Sequence, residues 1–506
     1  MTNVLEYLEN SALKNPNKVA VKDTKSQCTY NELLNNSKCV GSFLINKFNF
    51  AYRKPIIVFM DKSVEALISF MGIVYAGCFY VYISPEQPTS RVEQILSITK
   101  ADCIVTTNEY TENIKSLNFR GTVLNYSDIV NHDVQEEKLQ LVREQSQDID
   151  PLYCNFTSGS TGVPKGVLVC HRSVIDFMNY FTPLFDITQD DVIGNQAPFD
   201  FDVSVKDIFS SLKVGATLVI IPKKLFTIVT QLLDYICDSN VTTLIWAVSA
   251  LCMVAQFKGL TYRVPEKVNK ILFSGEMMPI KQLKTWQKYL PDTSFVNLYG
   301  PTEITCNCTY YKIDRDFELD EKLPIGKPFP NERVFLLDDK DELIETQGVT
   351  GEICVSGTAL ALGYFNNPEQ TKKAFVQNPL NTDYMETIYR TGDLGYYDEN
   401  KNLCFTGRKD FQIKYMGHRI ELEEIETAIN GTQKIQRACC VFDSIKNRII
   451  AYYVGNIDPK ELKKSLYDKL PVYMVPSVFN QLEELPITAN GKIDRKKLLQ
   501  IGGAKK

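Results

Sequence analysis

The chain has 506 residues and is 44% hydrophobic, 23% charged and 11% aromatic, enough apolar mass for several folding units with sizeable cores. With 61 acidic against 56 basic residues the net charge is −5, which argues against nucleic acid or an anionic membrane surface as a partner. Only 3 histidines (His132, His171, His418) weigh against an imidazole-rich metal site, and the 14 cysteines are scattered with no C-x-x-C pair. Those thiols read as small core hydrophobes of a reduced, cytoplasmic protein. Residues 1–8 carry Glu6 and no basic cluster, so no secretory leader is expected.

The first element to weigh is 66–83, an uncharged stretch close to the length of a membrane span. Gly77 and the aromatic and β-branched run behind it favour a buried helix ending near Ala76-Gly77, then a buried strand over 79–83. No membrane insertion is therefore expected. Further strands are expected over 56–60, 103–107, 217–221, 242–248 and 270–274, with helices between them such as 91–100 and 281–290. That alternation predicts an α/β fold of helix-covered parallel sheets, whose ligand sites lie at the carboxyl ends of the strands. From about Glu332 the texture turns to short strands (333–337, 352–356, 403–406), predicting a small β-rich subdomain over about 332–409. After Asp410 a helix over 422–430, strands over 438–442 and 449–454 and a helix over 459–470 predict a compact α+β domain, with a frayed tail over 502–506.

The strongest local motif is Phe156-Thr157-Ser158-Gly159-Ser160-Thr161-Gly162-Val163-Pro164-Lys165-Gly166. Small hydroxyl residues and glycines let backbone N–H groups converge on an oxyanion, and Lys165 adds positive charge. It is not a Walker A loop, because Pro164 stands where the second glycine belongs and Gly166 where Ser or Thr belongs. Asn297-Leu298-Tyr299-Gly300-Pro301-Thr302-Glu303 follows, then Tyr389-Arg390-Thr391-Gly392-Asp393, Gly407-Arg408-Lys409-Asp410, Gly417-His418-Arg419-Ile420-Glu421 and Asn490-Gly491-Lys492. Singly, each has a plain reading as a surface turn or hairpin tip. Their joint occurrence in this order is another matter.

In that order the motifs resemble the adenylate-forming superfamily of acyl-CoA synthetases, luciferases and nonribosomal peptide synthetase adenylation domains. The resemblance runs from Cys28-Thr29-Tyr30-Asn31-Glu32-Leu33 to Lys492. The Asn195–Asp202 segment and the 407–426 block are most similar to the amino-acid-activating branch, including the D-alanine–carrier protein ligases. The resemblance implies a large domain over 1–409 and a mobile C-terminal domain over 410–506, with its hinge at Asp410. It also implies a two-step reaction. A substrate carboxylate attacks the α-phosphorus of MgATP, and the acyl group then passes to a thiol, usually phosphopantetheine on a peptidyl or acyl carrier protein.

The available residues suit that chemistry, because a carboxylate is already ionised at neutral pH and the first step needs positioning and charge stabilisation rather than a base. By resemblance, Thr157, Ser158, Gly159, Ser160, Thr161, Gly162 and Lys165 would hold the β and γ phosphates. Thr302 would touch the α-phosphate and Glu303 would bind Mg²⁺. Asn297 joins the nucleotide site, Tyr299 would pack on adenine, and Asp393 and Arg408 would take the ribose hydroxyls. Lys492 would bridge the carboxylate and the α-phosphate; outside this context it reads as a solvated hairpin lysine. Gly417 would let a pantetheine arm approach the 416–418 loop, where His418 reads as an exposed loop residue rather than a base.

Asp202 stands where amino-acid-activating members pair an aspartate with the substrate ammonium; the alternative is a helix N-cap before 203–212. The remaining pocket positions are Val203, Lys206, Ile245, Leu272, Ser274, Leu298, Cys306 and Asn307. Ile245 is matched least directly, because its surroundings lack the usual proline. Several of these positions resemble serine-selecting pockets, whereas Lys206, Ile245 and Asn307 depart from them, and Ser274 departs from the cysteine of D-alanine ligases. A small amino acid is expected, with Lys206 either meeting an acidic side chain or snorkelling outward. Tyr82 replaces a usual proline. Two rival readings are a coenzyme A-using synthetase of the same fold and a catalytically silent binding module. Because the chain ends soon after Lys492, a stand-alone enzyme loading a separate carrier is expected, although a domain excised from a larger synthetase would look the same.

Overall fold

The computed structural model describes residues 1–50, 52–159, 162–487 and 493–504. The chain divides into two compact units, one of Met1–Pro85, Thr99–Asn155 and Gly166–Lys409, the other of Glu86–Ile98, Phe156–Lys165 and Asp410–Lys506.

In the larger unit the uncharged stretch forms helix Val64–Tyr75, started by Ser63, whose side chain accepts from the Ala66 N–H. Gly77 turns the chain at φ 72°, and strand Phe79–Ile83 follows, buried along its whole length. No helix among the described residues is long and apolar enough to cross a membrane. Strand Pro55–Phe59 lies between Phe79–Ile83 and Cys103–Thr106, all parallel, in a seven-stranded sheet. Every residue of these three strands is buried, which is why they read as unbroken apolar runs rather than alternating ones.

A nine-stranded sheet carries the candidate site. Strand Val192–Asn195 sits between Thr217–Ile220 on one side and Thr243–Ala247 on the other, and Lys270–Ser274 and Ser294–Tyr299 continue the parallel run. The chain therefore crosses over Val192–Asn195 between its next two strands. That is a topological switch point, where an open sheet leaves a crevice at its carboxyl edge. Alternate residues divide between two cores. Ile245, Leu272 and Leu298 join Phe70 and Phe199 on one face, and Leu244, Trp246, Ile271 and Phe273 join Trp286 on the other. Beyond Glu332 a six-stranded sheet forms, in which Glu332–Leu337, Gly351–Gly357, Thr387–Tyr397 and Leu403–Arg408 pair antiparallel.

In the smaller unit, Gln412–Tyr415 and His418–Glu421 make a hairpin through Met416 (φ 53°) and Gly417 (φ 80°), the two positive values that a type I′ turn requires. Helix Leu422–Asn430 buries Leu422, Ile425 and Ile429 with strands Ile435–Asp443 and Arg448–Gly455 in one core. Helix Pro459–Leu466 ends four residues short of the expected 470, the chain passing through a turn before Pro471. The last helix, Arg495–Ala504, includes Gly502 and Gly503 of the tail expected to fray, residues 505–506 lying outside the described residues, and the buried Leu498 anchors it nearer its start. All fourteen cysteines are free thiols, ten of them buried.

Candidate active site

The strand register of the nine-stranded sheet assembles the pocket. Ile245 pairs with Leu272, and Ser274 pairs with Leu298. Since Leu272 and Ser274 are two residues apart, all four side chains share one face at the carboxyl ends of their strands. The register thus puts Ile245 beside Leu272 although its sequence context is atypical. Helix Val203–Val214 begins opposite, at the switch point. Asp202 occupies the N-cap position of that helix in helical geometry, and its side chain makes no capping hydrogen bond, which removes the N-cap alternative. The thiol of Cys306 donates to the Asp202 carbonyl at 3.0 Å, and burial pushes that thiol's pKa well up, so it stays protonated.

Lys206 lies on the same helix and is 0% exposed. Its ammonium donates to Asn307 Oδ1 at 2.6 Å and to Ser274 Oγ at 3.4 Å. Lys206 is therefore a wall of the pocket; it does not snorkel outward. Asn307 is aimed by strained backbone. Thr305 (φ 52°) and Cys306 (φ 80°) are consecutive non-glycine residues with positive φ, and the Asn307 N–H returns to the Thr305 carbonyl at 3.2 Å. An i→i+2 bond around a residue with φ near +75° is a rare, strained γ-turn, a device found where side chains must be aimed. Gly300 accommodates the turn, since a Cβ there would lie 2.4 Å from Asn307 Cα.

Two residues that motif reading missed, Lys62 and Asp207, stand behind this wall through Asn195. Lys62, just beyond strand Pro55–Phe59, donates to Asn195 Oδ1 (2.9 Å), Gln196 O (2.9 Å), Ala197 O (3.2 Å) and Asn195 O (3.3 Å). Asn195 in turn donates to Asp207 Oδ2 at 2.6 Å. Burial draws the Lys62 pKa down to about 7 and pushes Asp207 up. Tyr82, in its proline-like position, packs edge-on against Phe70 and Phe199 in the core beneath the approach to Asp202.

A second cluster gathers around Asp393. Strand pairing sets Asp393 opposite Arg408, whose guanidinium donates to Asp393 Oδ1. Tyr299 donates its hydroxyl to Asp393 Oδ2 at 2.5 Å, and burial beside that carboxylate holds its own pKa far above neutral. Thr302 and Glu303 lie in the short turn Thr302–Ile304. Glu303 is fully buried, and Tyr364, a further residue absent from the sequence motifs, donates its hydroxyl to Glu303 Oε1 at 2.7 Å. Asn297 gives its amide N–H to the Pro324 carbonyl at 2.8 Å, so it braces a neighbouring loop.

The hydroxyl loop belongs to the smaller unit, with Ser160 and Thr161 outside the described residues. Thr157 ends strand Pro151–Thr157, Ser158 donates to the Arg419 carbonyl at 2.6 Å, and Lys165 stands 3.7 Å from Glu421. The Gly159 N–H donates to Glu424 Oε2 at 3.1 Å, while Arg91 pairs with Glu424 Oε1 at 2.9 Å. A backbone N–H of this loop thus already serves an anionic oxygen, the task such loops perform for phosphates. Gly162 turns at φ 77°. His418 is a strand residue stacked on Tyr473 with ring centroids 3.4 Å apart, not an exposed loop residue. Asp410 accepts from the Gln412 N–H, and Lys492 lies outside the described residues. Among the described residues no group of three or more His, Cys, Asp or Glu forms a metal cluster.

The family model for AMP-binding enzymes matches residues 8–365, and that for the AMP-binding enzyme C-terminal domain matches 424–492. The chain belongs to the AMP-binding enzyme family. It is 32% identical to the D-alanine–D-alanyl carrier protein ligase of Listeria monocytogenes, covering 98% of this chain and 98% of the ligase. It is 31% identical to zwittermicin A synthase ZmaJ of Bacillus cereus, covering 100% and 96%. Bacitracin synthase 1 of Bacillus licheniformis is 34% identical over 97% of this chain, which spans only 9% of that synthase. Among solved structures, the adenylation domain AlmE of Vibrio cholerae, in complex with glycyl-adenosine-5'-phosphate, shares the fold with a TM-score of 0.86 at 22% identity, covering 100% of this chain and 98% of AlmE.

Proposed function

We propose that the protein activates a small amino acid as its aminoacyl-adenylate, releasing pyrophosphate from ATP, and passes the aminoacyl group to the phosphopantetheine thiol of a carrier protein. The observation that carries this reading is the placement of Asp202, a carboxylate without a capping role at the head of the helix that carries Lys206, whose ammonium bonds Asn307 and Ser274. A substrate ammonium would donate a charge-assisted hydrogen bond to a carboxylate in that position. Val203, Ile245, Leu272, Leu298 and Cys306 enclose the side chain.

Asp393 and Arg408 would take the ribose hydroxyls and Tyr299 would lie along adenine. Thr302 would meet the α-phosphate, and Asn297 would brace the nucleotide site through the Pro324 loop. Glu303, oriented by Tyr364, fits a single carboxylate ligand for Mg²⁺, a metal that takes its other ligands from phosphates and water and neutralises their charge. Thr157, Ser158, Gly159, Ser160, Thr161, Gly162 and Lys165 would hold the β and γ phosphates. Lys492 would stabilise the charge growing at the α-phosphate. The break between the units at Lys409 and Asp410 supports Asp410 as the hinge of a mobile domain over 410–506. The fourteen free thiols suit a reducing, cytoplasmic setting.

Amino-acid-dependent exchange of labelled pyrophosphate into ATP, run across D-, L- and β-amino acids, tests the reading. One or a few small amino acids should support strong exchange, and fatty acids should not. Asp202→Ala and Lys492→Ala should each lower the rate about a hundredfold or more. Undiminished exchange in either variant rejects the role given to that residue.

A further inference from the structure

The pocket that would receive the amino acid holds a buried cation, and its placement narrows the substrate class. Lys206 follows Asp202 by four residues, so the two stand one above the other on one helix face, about 6 Å apart at their Cβ atoms. A ligand whose ammonium met Asp202 would therefore have Lys206 within reach along the same helix face. The Lys206 ammonium is fixed there by Asn307 Oδ1 and Ser274 Oγ, and the first of these rests on the strained turn at Cys306. The remaining lining, Ile245, Leu272 and Leu298, is apolar and buried. The buried lysine stem occupies volume on this face, which favours a short side chain over a long one.

The neighbouring acid does not account for this arrangement. Adjacent helical residues diverge by about 100°, and Asp207 turns toward Asn195, itself held by Lys62, whereas Lys206 turns toward Asn307 and Ser274. We propose that the activated amino acid carries an acceptor oxygen on a short side chain, a hydroxyl or a carboxylate, and that the Lys206 ammonium reads it. This rests on the amino-acid-activating reading above and deepens it. A site built around a buried donor rejects a ligand lacking the acceptor far more strongly than an apolar pocket rejects a missing methylene.

The test compares kcat/KM in pyrophosphate exchange for glycine, alanine, 2-aminobutyrate, serine, aspartate and glutamate, with the full chain and with Lys206→Met. Serine or aspartate should exceed alanine and 2-aminobutyrate at least tenfold, and which of the two leads separates hydroxyl from carboxylate. Lys206→Met should lower the preferred substrate about 10- to 100-fold, as expected for loss of a hydrogen bond from a charged donor, and should collapse its ratio to alanine. A general folding defect would lower all substrates together and leave that ratio intact. The proposal is overturned if alanine or 2-aminobutyrate matches serine and aspartate in the unmodified protein, or if the ratio survives in Lys206→Met. Should Lys206→Met not fold, the unmodified protein's panel decides alone. Exchange with none of the amino acids would bring down the underlying reading, which is a different result from exchange without side-chain preference.

Discussion

Single hydroxyl groups orient the two carboxylates on which nucleotide binding would depend. Tyr299 and Arg408 hold Asp393 from two sides, so that its oxygens face a defined direction without a ligand. Tyr299→Phe removes one donor to a buried carboxylate, a change worth roughly 1.5–3 kcal/mol. We expect the KM for ATP to rise at least tenfold while the KM for the amino acid moves little, as read from exchange kinetics. Asp393 and Arg408 were legible in the sequence because each lies in a short, recognisable motif, although those motifs, read singly as turns, fold as paired strands. Tyr364 and Lys62 were not, because their partners lie 61 and 133 residues away and a lone tyrosine or lysine carries no local pattern.

At the level of elements, the loop between strands Ser294–Tyr299 and Thr309–Lys312 is the most constrained piece of the site. Gly300 lets the backbone run close to Asn307, since a Cβ on it would lie 2.4 Å from Asn307 Cα, and Cys306 Sγ ties the loop to the head of helix Val203–Val214. Gly300→Ala should therefore displace Asn307, raising the amino-acid KM tenfold or more, with a smaller effect on the KM for ATP. Equal changes in both would show that the loop does not act on the pocket in particular. Of the neighbouring strands, 217–221, 242–248 and 270–274 were foreseeable to within a residue or so, because buried parallel strands are unbroken apolar runs, whereas Ser294–Tyr299 and Thr309–Lys312, which bound the loop, were not read as strands. The γ-turn was not foreseeable. Threonine and cysteine carry no preference for positive φ, and only the surrounding packing imposes it.

At the scale of the whole molecule, acid sensitivity has an identifiable contributor. His171 is buried at the head of helix His171–Leu184, and its Nδ1 accepts the Val4 N–H at 3.3 Å, so the neutral ring carries its proton on Nε2. Burial lowers its pKa from 6.5 to about 4, the nearby Asp150 opposing this only in part. Between those values the unfolded chain binds the proton that the folded ring refuses. Stability contributed by the neutral ring is therefore complete above about pH 6.5 and is lost as the pH falls toward 4, by up to about 3 kcal/mol. Urea unfolding of the protein and of His171→Asn from pH 7 to 4 should show the steeper loss in the unmodified chain; parallel curves would exonerate the histidine.

The free thiols allow unfolding to be followed in each unit separately. Cys154, Cys308 and Cys354 are sealed inside the larger unit, and Cys439 and Cys440 inside the smaller. None is bridged, so each unit carries its own dark chemical reporter, silent to alkylating reagents until its strands part. A timed pulse of reagent, followed by mass mapping, would read the opening of each unit on a separate clock, with no label engineered into the chain.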